Sequence, residues 1–157
     1  MPALKVGDEA PDFELKNAQG EPVRLSEVVK EQDYTILAFF PAAFSSVCTT
    51  ELNVFQETAG DFRDLGAAMV AISVDNHHSL REFAQQNGLG FLLLSDFHPQ
   101  GQVAAAYGVL HDDGMTERAL FIVDEKRKIR YSYVSERKLN PGVDDLLATL
   151  EKLKGKA

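Results

Sequence analysis

Cysteine is the scarcest reactive residue in this chain: 157 residues hold one, Cys48. One cysteine closes no internal disulfide, and it excludes the usual multi-cysteine zinc sites. Long apolar runs are missing too. None approaches the ~18 residues of a membrane span. Met1 to Leu15 carries charges and two prolines but no apolar signal segment, so a cytoplasmic location is expected. Positive charge is in short supply, with 16 Lys and Arg against 24 Asp and Glu and a net charge of −8. An acidic surface attracts neither nucleic acid nor anionic membrane, so neither is expected as a partner. There is no repeat, linker or composition break, so residues 1–157 are expected to form a single domain. Hydrophobic residues at 45% and charged ones at 25% favour a globular chain over a disordered one.

What is present gathers around the cysteine. Tyr34 to Phe40 (YTILAFF) is an unbroken apolar run that suits a strand buried on both faces. Pro41 ends it, having no N–H for a ladder. Further on, Leu52, Phe55, Ala59, Phe62 and Leu65 recur at helical spacing, and Ser45 and Ser46 stand where helix N-caps stand. Cys48 therefore falls in the first turn of a helix leaving the carboxyl end of a strand. Free N–H groups and the positive end of the helix dipole meet there, and both favour a thiolate.

Taken in order, Phe13–Leu15 and Pro22–Leu25 flank the turn signal Asn17 to Gly20 and read as an amino-terminal hairpin. Ser26 is placed to cap a short helix through Lys30. Ala68 to Val74 is a second buried strand, and Asp75 or Ser79 caps the helix of Leu80, Phe83 and Ala84, which Gly88 closes. Phe91–Leu94 is a strand and Val103–Tyr107 a short helix. Ala119–Val123 is the next strand, and Ile129, Tyr131 and Tyr133 alternate with polar residues as in an antiparallel return. Asn140-Pro141 starts a last helix with Val143, Leu146, Leu147, Leu150 and Leu153 on its apolar face. This order predicts an α/β class, a thioredoxin-like fold with a central mixed sheet flanked by helices.

Pro41, Ser45 and Cys48 spell P-x-x-x-S-x-x-C, which resembles the P-x-x-x-T/S-x-x-C signature of the peroxiredoxins, the thiol-specific antioxidant and alkyl hydroperoxide reductase family. The T-T-E ending at Glu51, the R-A-L-F-I-V-D of Arg118 to Asp124 and the G-D-x-A-P-x-F of Gly7 to Phe13 are similar to that family as well. The resemblance implies a thiol-dependent peroxidase that reduces hydrogen peroxide and organic hydroperoxides, with Cys48 attacking the O–O bond to become a sulfenic acid. Ser45, Arg118 and the Val47 and Cys48 N–H groups would bind the substrate, Pro41 would roof the site and Glu51 would orient Arg118. No metal or cofactor is expected. With no second cysteine, the resolving thiol comes from outside: a low-molecular-weight thiol, a glutaredoxin-like or a thioredoxin-like protein. The resemblance also implies a homodimer, docked near Phe44. Serine at position 45, where threonine is commoner, lacks the methyl that fixes the hydroxyl's rotamer, which implies a looser but active site.

Each residue has a plainer reading taken alone. A lone cysteine is a small buried hydrophobe, Ser45 an N-cap, Pro41 a strand terminator, Glu51 a first-turn helix charge and Arg118 a surface arginine. Other functions fit parts of the sequence. His77 and His78 follow a strand towards the same sheet edge as Cys48, as a Cys–His hydrolase or transferase requires; His98 and His111 read as loop residues. A non-catalytic binding module is compatible with the same fold. A thioredoxin-type reductase is disfavoured, because C-x-x-C is missing and Arg118 precedes the strand where such reductases carry proline.

Overall fold

The computed structural model describes residues 2–135 and 143–155. Its elements are β1 (Glu14–Asn17), β2 (Pro22–Arg24), α1 (Leu25–Val28), β3 (Tyr34–Phe39), α2 (Ser46–Asp64), β4 (Ala67–Ser73), α3 (His77–Asn87), β5 (Leu92–Ser95), α4 (Gln102–Ala106), β6 (Arg118–Asp124), β7 (Ile129–Ser135) and α5 (Asp144–Gly155). The strands make one seven-stranded sheet in the order β2-β1-β5-β4-β3-β6-β7. β3, β4 and β5 run parallel, while β6 enters antiparallel beside β3 and β7 antiparallel beside β6. The expected hairpin forms, and β1 joins it to the main sheet by pairing with β5.

Side chains alternate across a strand, and β3 shows the result. Ile36 and Ala38 enter an apolar cluster with Leu52, Phe55 and Phe62 of α2, Leu80 and Phe83 of α3, and Leu146 and Leu150 of α5. Leu37 and Phe39 enter a second cluster with Leu25, Val103, Tyr107 and the amino-terminal Phe13. Both faces of the central strands are therefore covered, which explains why β3 and β4 read as continuous apolar runs. In α5, Leu146 and Leu150 are buried, and Leu147, Leu153 and the preceding Val143 pack against the first cluster.

Helix starts depart from expectation. Ser26 lies inside α1 instead of capping it, and Arg24 at the N-cap makes no side-chain bond to the helix. The acceptor comes from outside the helix: Asp12 Oδ1 takes the N–H groups of Ser26 and Phe13, each at 2.9 Å. At α3 the cap is neither Asp75 nor Ser79 but Asn76, whose side chain accepts from the Ser79 N–H at 2.9 Å. Several strand ends also move by a residue, β5 ending at Ser95 and β6 opening on Arg118 itself. The expected Asn140-Pro141 start of the last helix lies outside the described residues.

The short α4 is capped from a distance as well. Gly101 at its N-cap has no side chain, and the buried Asp96 accepts from Val103 N at 3.1 Å and Ala104 N at 2.9 Å. Replacing Asp96 with alanine leaves both donors buried without that acceptor. The expected loss is about 3 kcal/mol of unfolding free energy, read from the urea midpoint, against about 0.5 kcal/mol for an exposed substitution such as Glu57→Ala.

Candidate active site

The chain turns sharply between β3 and α2. Phe40 N still bonds Ile72 O at 3.0 Å, and the buried Pro41 then leaves the ladder. Phe44 is left-handed, with φ of 69°, a strained conformation for a bulky residue. Two contacts hold it there. Its ring lies edge-on to Phe83 with centroids 5.2 Å apart, and the preceding Ala43 N–H donates to Asp75 Oδ2 at 2.8 Å. Asp75 Oδ2 also accepts from Ser73 Oγ at 2.7 Å, so the end of β4 braces the turn after β3.

Ser45 then caps α2. It is extended at φ −74° and ψ 149°, and its Oγ accepts from the Cys48 N–H at 3.3 Å while donating to Ala42 O at 3.2 Å. The Cys48 N–H, expected as an open donor, is thus already engaged. The Val47 N–H has no bond to the described residues.

Cys48 sits in the first turn of α2 and is fully buried. Glu51, three residues on, shares its face of the helix. Opposite them stands Arg118, and the strand register explains how. Phe39 at the end of β3 pairs with Ala119, so the start of β6 meets the end of β3. Ala119, Phe121 and Val123 point into the second cluster, and Leu120 and Ile122 into the first, beside α2. By alternation Arg118 faces α2 with Leu120. Its Nη2 donates to Cys48 Sγ at 3.1 Å and its Nη1 to Glu51 Oε1 at 2.6 Å. Arg118 is 2% exposed and Glu51 1%, so this arginine is no surface residue.

A guanidinium in contact and the amino end of a 19-residue helix both present positive charge to the sulfur. At Glu51, burial outweighs the pairing with Arg118 and pushes the carboxyl from an ordinary 4.5 to about 7. Its Oε2 is buried and has no hydrogen-bond partner among the described residues.

The structure thus brings Ser45, Cys48, Glu51 and Arg118 together and sets Pro41 at the start of the same loop. The histidines stay apart. His77 and His78 open α3 with rings 4.0 Å apart, and with His98 they line a cavity of about 620 Å³ beside Glu14 and Lys16. His111 bonds the Asp113 N–H in its own loop. No histidine among the described residues bonds Cys48, so the Cys–His reading has no geometric support. Asp75 is the residue that sequence reasoning missed as a brace. Its signal is parallel pairing, since Phe39 beside Ile72 carries the residues after β4 to the turn after β3. Among the described residues no cluster of His, Cys, Asp and Glu is arranged to hold a metal, and no helix is long and apolar enough to cross a membrane.

Residues 6–132 match the model of the AhpC/TSA family. The chain belongs to this family, the peroxiredoxins. It is 36% identical to the alkyl hydroperoxide reductase E of Mycobacterium tuberculosis, over 85% of this chain and 87% of that protein. With a chloroplastic 2-cysteine peroxiredoxin of Chattonella marina var. antiqua it shares 33% identity, over 95% of this chain and 80% of the other. The crystal structure of peroxidoxin BcpB from Mycobacterium tuberculosis superposes with a TM-score of 0.86 at 33% identity, over 96% of this chain and 98% of that one. The expected thioredoxin-like α/β fold is thus the fold of this peroxiredoxin. Its function is that of a thiol-dependent peroxidase, in a family that takes peroxides as substrates and thiols as reductants, and its one cysteine makes it a one-cysteine type.

The raised Glu51 carboxyl has a consequence for stability. Between pH 4.5 and about 7 the folded state holds a proton at Glu51 that the unfolded state has lost. Folding then binds the extra proton, so this group's contribution is full below 4.5 and declines as pH rises through about 7. Glu51→Gln has no proton to lose. Urea unfolding across this window is expected to show the variant gaining on the wild type as pH rises, with the two curves parallel below it.

Proposed function

We propose that Cys48 is the peroxidatic nucleophile of this enzyme and that an external thiol completes its cycle. The observation that carries the reading is the 3.1 Å contact from Arg118 Nη2 to a buried Cys48 Sγ at the amino end of α2. The thiolate attacks one oxygen of a hydroperoxide; an S–O bond forms, the O–O bond breaks and the departing oxygen takes a proton. Arg118 stabilises the anion before attack and the negative charge on the leaving oxygen during it. The Ser45 hydroxyl, whose proton lies on Ala42 O in the peroxide-free site, turns to the peroxide, and the Val47 N–H is the backbone donor beside it. Pro41 keeps bulk water from the sulfur, and Glu51 fixes the plane of the guanidinium through Nη1.

Hydrogen peroxide and organic hydroperoxides are the substrates. The sulfenic acid is resolved as a mixed disulfide with a low-molecular-weight thiol, a glutaredoxin-like or a thioredoxin-like protein, because Cys48 is the sole cysteine. Residues 1–157 work as one domain in the cytoplasm, as a homodimer joined near the exposed Phe44.

Intact mass spectrometry after one equivalent of hydrogen peroxide tests the scheme. One oxygen is expected on Cys48, converted to a thiol adduct when reductant is added, with sulfinic acid accumulating at excess peroxide. An obligatory Cys48–Cys48 disulfide would overturn the external resolver. Ser45→Ala separates cap from catalyst. Losing the cap costs ~1 kcal/mol of stability, whereas losing a transition-state hydrogen bond slows peroxide reduction by ~10²-fold. Unchanged stopped-flow kinetics in the variant would leave Ser45 as a cap alone.

A further inference from the structure

Cys48, Glu51 and Arg118 form a cluster of ionisable groups with 0%, 1% and 2% exposure. Arg118 carries one positive charge and donates to both of the others, at 3.1 Å to the sulfur and 2.6 Å to Oε1. If the sulfur and the carboxyl were both anionic, the cluster would hold a net negative charge out of water, which is costly. The carboxyl's second oxygen makes the cost specific. Oε2 is buried with no hydrogen-bond partner among the described residues, so ionisation leaves a charged oxygen bare, whereas a protonated carboxyl is neutral there. Among the described residues, the ionisable groups set against Glu51 are Cys48 on its own helix and Arg118 on β6. Two anions thus compete for one guanidinium.

We infer that Glu51 stores the proton that Cys48 gives up: the carboxyl is protonated while the sulfur is a thiolate, and it ionises as the sulfur becomes a sulfenic acid. The inference rests on the peroxidase reading and deepens it. The first half-reaction balances as Cys48–S⁻, Glu51–COOH and ROOH giving Cys48–SOH, Glu51–COO⁻ and ROH. Sulfur loses two electrons, the O–O bond gains them, the carboxyl loses one proton and the leaving oxygen gains one. In the second, a thiol R′SH converts the sulfenic acid to Cys48–S–SR′ and water. Another R′SH then releases R′SSR′, restoring Cys48–S⁻ while its proton returns to Glu51. Of the sulfur and the carboxyl, one is anionic beside Arg118 at each resting stage. Glu51 touches neither peroxide nor sulfur, so it is a positioning residue that acts through Arg118. Burial, which favours its protonated form near neutrality, is consistent with the assignment.

Proton counting tests it. Reduced protein is mixed with one equivalent of hydrogen peroxide at neutral pH in weak buffer with a pH indicator, while thiolate absorbance is followed in the ultraviolet. The wild type is expected to lose its thiolate with almost no proton taken from solvent, and Glu51→Gln to draw nearly one proton per sulfur oxidised. One proton per sulfur in both proteins would overturn the inference, as would a wild-type sulfur that begins as a neutral thiol. Infrared difference spectra of the wild type alone give a second reading, independent of whether the variant folds. Oxidation is expected to remove a protonated-carboxyl band and add carboxylate bands; an unchanged carboxyl region would overturn the assignment. No oxygen on Cys48 by mass would instead overturn the peroxidase reading, and this one with it.

Discussion

The contact on which the site depends is the bidentate reach of one buried guanidinium to a sulfur and a carboxyl. A cation out of water is tolerated only with partners in good geometry, and removing a partner of a buried pair costs ~3–5 kcal/mol. Arg118 therefore constrains α2 as much as α2 constrains Arg118. Cys48 and Glu51 reach it together because three residues of helix return a side chain to nearly the same face. The Ser45 cap fixes where that helix begins. Had it begun a residue earlier or later, the pair would be rotated away from the guanidinium.

The sheet makes the contact possible over a separation of 70 residues. β3 and β6 are antiparallel neighbours, so the carboxyl end of one meets the amino end of the other. The register then decides the face. A slip of one residue would turn Arg118 into the second cluster, among Phe39 and Tyr107, away from Cys48 and Glu51. The same logic operates on the other side of β3. Parallel pairing with β4 brings Asp75 to the Ala43 N–H, which holds the loop in the turn that Phe44 strains to make.

Much of the fold is legible in the sequence because it is written in periods. The apolar runs of β3 and β4, the helical stripe of α2 and the alternation of β7 each follow from one rule about which face meets the core. Cys48 in a helix's first turn is legible for the same reason. Less legible is anything set by residues far apart in the chain. The acceptors at α1 and α4 are Asp12 and Asp96, which lie outside the helices they serve, so a search for local caps names Ser26 instead. Arg118 is the sharpest case. Its residue type argues for the surface, and only the motif resemblance, later met by the register of β6, argues for the interior. Phe44 carries no mark of its left-handed backbone, since nothing in its neighbours asks for one.

Three unfavourable features of the described residues lie close to the reactive sulfur. Most of both apolar clusters is ordinary close packing, and apolar residues of similar volume in place of a buried ion pair are often as stable or more so. Yet close to Cys48 stand a buried guanidinium, a carboxyl oxygen with no partner among the described residues and, in the adjoining loop, a bulky residue at positive φ. Stability alone would remove all three. A neutral Glu51→Gln side chain would lower the charge burden, and Phe44→Gly would suit the left-handed backbone better. Glu51→Gln would, however, leave no carboxyl beside Arg118 to take up the charge that the sulfur gives up. The buried cation and the carboxyl together are therefore what a sulfur of changing charge requires of its surroundings. The close-packed apolar clusters on both faces of the sheet are what make that local cost bearable.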